Sequence, residues 1–140
     1  MSTNEIFPPN GPNNKMSLPV EGTVVSGDPI VVGSICGVAQ TTKEASDGAA
    51  TGIVNSNAPG NVTSWNGGVW RLPVDVAADA EIGDTVYATV TANQSKVALG
   101  TDAAEGAFPF GVLYESAAEG DDQQLGVRVF EFVGEVVPTA

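Results

Sequence analysis

Histidine is absent from this chain, and only five lysines and arginines stand among its 140 residues. The first absence removes the side chain that most often acts as a general base near neutral pH. Ser26, Ser34 and Cys36 have no lysine or histidine beside them, so nucleophilic catalysis lacks its activating partner. The scarcity of bases excludes a nucleic-acid footprint. Lys15, Lys43, Arg71, Lys96 and Arg128 are scattered singly against 17 acids, and a net charge of −12 repels phosphate. The single cysteine, Cys36, cannot form an internal disulfide, and its apolar setting GSICGVAQ reads as a buried, inert thiol. No apolar run is long enough to span a bilayer, and the N-terminus has neither the charged start nor the apolar core of a secretion signal. These absences predict a non-enzymatic protein with no cofactor, metal, nucleic-acid or membrane partner, made in the cytoplasm and used there or released by lysis.

What is present points to strands. Seventeen glycines and nine prolines punctuate short apolar runs: MSLPVEGTVV, PIVVGSICGVA, GGVWRLPVDV, TVYATV, KVALG, FPFGVLYES and LGVRVFEFVGEVV. The fold class expected is all-β, with residues 16–140 as one domain of short strands. In VWRLPVDV the alternation puts Trp70, Leu72, Val74 and Val76 on one face and Arg71, Pro73 and Asp75 on the other, and Pro73 asks for an edge or a bulge. In LGVRVFEFV both faces are partly apolar. Leu125, Val127, Val129 and Val133 share one, while Phe130 and Phe132 lie beside Arg128 on the other, which suits either a central strand or a subunit interface.

Residues 1–15 hold Pro8, Pro9, Gly11 and Pro12 and read as a flexible arm whose large apolar residues are Ile6 and Phe7. It is either a frayed terminus or a docking arm that orders on a partner. The segment from Asn55 to Gly68 is rich in turn formers and reads as a surface loop, with Trp65 as a lid or a contact residue.

Two acidic features need a choice. Glu119, Asp121 and Asp122 in AAEGDDQQ lack the alternating oxygens of a calcium loop and read as a solvated turn. Gly27-Asp28 and Gly83-Asp84 each precede an apolar run. They are read as strand-launching turns, in which glycine permits positive φ and aspartate bonds neighbouring amides, rather than as an acidic site. Their shared pattern also hints at an internal duplication. The sequons at Asn61 and Asn93 are taken as chance matches.

The ordered set SGDPIVVG, ICGVAQTT, GGVWRLPV, IGDTVYAT, FGVLYES and LGVRVFEF, spanning Pro19 to Phe132, resembles the phage capsid cement or decoration proteins. The resemblance implies a compact β-barrel or tulip-like domain, commonly a homotrimer, on the outer surface of a phage head. There it would bind the major capsid protein and stabilise the shell against DNA pressure. On that reading Ile6, Phe7, Pro8 and Pro9 form a capsid-docking arm, Arg128, Phe130 and Phe132 a subunit interface, and Trp65 a surface contact. The alternative is a carbohydrate-binding or adhesive module using the flat faces of Trp65 and Trp70.

Overall fold

The computed structural model describes residues 5–7, 15–43 and 60–130. Among them there is no helix, and ten strands run in chain order: β1 Glu5–Phe7, β2 Lys15–Pro19, β3 Pro29–Val32, β4 Ile35–Ala39, β5 Asn61–Trp65, β6 Val69–Val76, β7 Thr85–Val90, β8 Val97–Gly100, β9 Phe108–Leu113 and β10 Gly120–Val129. The protein is all-β.

Two sheets share the work. One has the order β2-β5-β4-β3 and curls into a half-barrel. The other has the order β6-β10-β9-β7-β8 and closes into a five-stranded barrel, because β8 also pairs with β6 in parallel at Asp75 and Gly100. The Thr101 N–H, donating to the Asp75 carbonyl at 3.0 Å, pins that seam. Closure satisfies backbone groups that an open sheet would leave at its edges.

The barrel core follows from period two. Trp70, Leu72, Val74 and Val76 of β6 are buried, as are Leu125, Val127 and Val129 of β10, joined by Val86, Leu99, Phe110 and Leu113. Each large apolar side chain fully buried this way contributes about 1.5–3 kcal/mol relative to exposure. The outward residues Arg71, Asp75 and Arg128 are exposed, as the alternation requires. Pro73 pairs with Gln124 of β10, on the side of β6 away from the seam where β8 crosses.

Strands β3 and β4 of the half-barrel are buried on both faces, whereas β2 is exposed apart from Leu18. Val31, Cys36 and Val38 join the barrel's core cluster, while Leu18, Val20, Val24, Ile30, Ala39 and Val62 form a second, smaller core inside the curl. Its edge strand β3 is tied to the barrel by an Ile30–Lys96 bridge and by the Val31 N–H donating to the Ser95 carbonyl at 3.0 Å.

Three sequence expectations are revised by this arrangement. Asn61–Trp65 is a strand rather than part of a surface loop, because Val62 and Ser64 alternate inward and Gly37 of β4 lets Ser64 approach its backbone closely. Asp121 and Asp122 belong to the start of β10, beside a bulge in its pairing with β6, rather than to a separate turn. Glu5–Phe7, inside the segment read as a flexible arm, forms a short strand antiparallel to β6 at Val69 and Trp70. Pro8, Pro9 and Phe132 lie outside the described residues.

Candidate functional surface

The two Gly-Asp pairs are turns of the same construction. The Asp28 N–H donates to the Val25 carbonyl and the Asp84 N–H to the Glu81 carbonyl, both at 3.1 Å. The carboxylates accept in return from the Val25 and Glu81 N–H groups, both at 2.9 Å. Gly27 and Gly83 have φ of 95° and 92°, the third-position geometry of a type II turn that a side chain disfavours. The aspartates are therefore structural acceptors, and no group of three or more Asp, Glu, Cys or His among the described residues is arranged to hold a metal ion.

What stands at the second position of each turn differs. Ser26 is tied down, its hydroxyl donating to the Gln40 carbonyl at 2.8 Å. Ile82 is 66% exposed. The Ile82 turn is zipped to the start of the β9–β10 connection: Gly83 N–H donates to Leu113 O, Leu113 N–H to Asp84 O, and Ala80 and Ala117 exchange both bonds. Tyr114, 45% exposed, follows directly on this ladder. The result is a two-stranded lip at one end of the barrel, bearing Asp79, Glu81, Glu115 and Glu119. Arg71 reaches it, 3.8 Å from Glu115.

The tryptophans do not form a sugar platform. Trp70 is fully buried and its indole N–H donates to the Gly67 carbonyl at 2.7 Å. Trp65 lies 6.2 Å from it, tilted by 35°, and the Lys15 ammonium sits 4.8 Å from the centre of the Trp65 ring. Its ring is thus already in contact with a neighbouring indole and a cation. The neighbouring Asn66 is buried and donates to the Cys36 carbonyl at 2.9 Å. Burial pushes the Cys36 thiol up to about 12, so it stays protonated and unreactive at neutral pH.

Of the proposed interface residues, Arg128 is exposed on the outer face of β10 and Phe130 is half-buried just past its end, with its N–H donating to the Phe110 carbonyl at 2.9 Å. The structure thus places Arg128 and Phe130 close together on one wall of the barrel. The Ile82–Tyr114 lip was not legible as a site, because single exposed apolar residues carry no pattern until the turns that display them are paired.

A family model described as phage cement protein matches residues 10–129, a span that includes both sheets. The chain belongs to the phage cement protein family. Membership accords with the resemblance read from the ordered motifs, and it associates the protein with a phage capsid in the virion. This is a structural family, consistent with a non-enzymatic role. No curated protein and no solved structure shows a significant match to the chain.

Proposed function

We propose that the protein decorates the outer surface of a phage head as a homotrimer and braces the shell against the pressure of packaged DNA. The observation that carries this reading is the family match across residues 10–129. A net charge of −12 supports an exterior position, away from the packaged nucleic acid. Three attachments in one trimer act as a single strong one, because the second and third form at high effective concentration. Arg128, Phe130 and Phe132 are the proposed contact between subunits.

The arm, with Ile6, Phe7, Pro8 and Pro9, is the proposed capsid-docking element. Glu5–Phe7 pairs with β6 at only two registered positions, so little hydrogen bonding is lost if the arm leaves β6 to add a strand to a capsid edge.

The test is co-sedimentation of the purified protein with heads assembled without it. Saturation at a multiple of three copies per three-fold position, together with a trimer in sedimentation equilibrium, is the expected result. Removal of residues 1–14 should weaken head binding while leaving the melting temperature of the domain unchanged. Failure of the intact protein to bind expanded heads would refute the reading.

A further inference from the structure

We propose that the lip carrying Ile82 and Tyr114 is a second attachment surface, which takes a lysine- and arginine-bearing surface of the capsid protein. The inference rests on the decoration reading and deepens it: a protein that braces neighbouring capsid subunits needs two separated contacts on one rigid body.

The turn that displays Ile82 does not require an isoleucine. The Val25–Asp28 turn has the same hydrogen bonds and the same glycine conformation, with a serine in that position bonded back to its own sheet. Ile82 is the most exposed large apolar residue described, and Tyr114 stands next to it across the Gly83–Leu113 bond. An aliphatic and an aromatic residue displayed by one hydrogen-bonded ladder form an apolar centre whose backbone is already ordered for contact.

The rim of that centre says what chemistry fits. The carboxylates of Asp79, Asp84 and Glu115 accept from Glu119, Glu81 and Gly126 N–H groups respectively, which holds them in place. The carboxylates of Glu81 and Glu119 have no protein partner among the described residues. Arg71 offsets Glu115 at 3.8 Å, but Lys15, Lys43 and Lys96 belong to the half-barrel or to the β7–β8 turn beside it, so Asp79, Glu81, Asp84 and Glu119 leave the lip with a net negative charge. Acid around an apolar centre repels a second copy placed lip to lip and attracts a basic surface.

Position completes the argument. β1 lies against β6 at Val69 and Trp70, and β10 separates β6 from β9, whose end leads into the lip. The registers Glu5–Trp70, Trp70–Val127 and Val127–Leu113 set the arm three strands from Leu113, so at about 4.8 Å per strand the arm and Tyr114 are no more than about 14 Å apart around the barrel wall. Arm and lip are therefore distinct contacts held at a fixed spacing on one rigid body.

The test compares full-length variants in head co-sedimentation, each first checked for an unchanged melting temperature. Ile82→Asp and the double reversal Glu81→Lys with Glu119→Lys should each bind about tenfold or more weakly. Val90→Asp changes an exposed residue at the far end of β7 and should bind as the parent does. Parent binding should weaken as salt rises from about 0.05 to 0.5 M, and the double reversal should lose that dependence. If the parent binds and the lip variants bind equally well, or if Val90→Asp is the one that fails, the lip inference is overturned and the decoration reading stands. If the parent does not bind heads at all, both fall.

Discussion

The half-barrel and the barrel are two versions of one four-strand pattern. In each, the first strand pairs with the last, the last with the third and the third with the second: β2-β5-β4-β3 and β6-β10-β9-β7. The registers correspond residue by residue. Leu18 faces Val62 as Leu72 faces Leu125, and Val38 faces Trp65 as Val112 faces Arg128. Gly37 and Gly111 hold the same place, and a methyl group on either would press against the carbonyl of the facing Trp65 or Arg128. The Gly-Asp turns correspond as well, down to their ties to Ala39 and Leu113.

What differs is the link between the second and third strands. In the half-barrel, β3 and β4 are joined by Gly33 and Ser34 alone, whereas the barrel inserts β8 between β7 and β9, and β8 returns to pair with β6. One inserted strand therefore turns an open curl into a closed barrel with a large core. The half-barrel, lacking it, completes its burial by docking Val31, Cys36 and Val38 on the barrel and by bonding β3 to the Ser95–Lys96 turn. The pattern encloses little by itself, and closure or docking supplies the rest.

If this contrast is right, equivalent substitutions should cost different amounts. Leu72→Ala removes a fully buried barrel residue and should destabilise by about 3–4 kcal/mol in urea unfolding, while Leu18→Ala in the smaller core should cost about 2 kcal/mol. Equal losses would mean that the two cores are equally well enclosed.

Cys36 reports on the docking itself, because its thiol is buried between half-barrel and barrel. Iodoacetamide at pH 8 should label the native protein about 100-fold or more slowly than the unfolded chain. Fast labelling of a protein that still melts cooperatively would show the half-barrel opening by itself. Because the folded thiol titrates near 12 against 9.0 for an ordinary one, the unfolded chain loses that proton first, so stability should fall as pH rises above 9.0. Cys36→Ala should flatten that slope.

The duplicated turn gives a matched pair. Gly27→Ala and Gly83→Ala each force a methyl group into positive φ, and both should cost about 1–2 kcal/mol. At Gly83 no atom lies within 4 Å of the added carbon, so the cost there is purely conformational. A marked difference between the two would show that the turns are alike in geometry but not in strain.

The smallest effect separates the aspartates. Asp28 has Lys96 at 3.5 Å, and Asp84 has no such partner among the described residues. Asp28→Asn should cost a few tenths of a kcal/mol at low salt and nothing at high salt, and Asp84→Asn should be neutral at both.

Much of this was legible in the chain. The alternation in VWRLPVDV placed Trp70, Leu72, Val74 and Val76 inside, and the Gly-Asp pairs were readable as turns because glycine and aspartate each have one strong reason to be there. The repeat was only half visible. Leu18-Pro19-Val20 recurs as Leu72-Pro73-Val74 and Gly37-Val38 as Gly111-Val112, but at separations that differ from that of the Gly-Asp pairs, so no single offset aligns them. Asn61–Trp65 was missed because its asparagine and flanking glycines outweighed a five-residue alternation.

By itself, then, the sequence determined the all-β class, the turns, the inward faces and the kinship, since these follow from local conformational preference and period. The tertiary structure decided which strands pair, that β8 closes the barrel, and that Ile82 and Tyr114 share an acidic lip. Those depend on contacts between residues far apart in the chain, and no local pattern records them.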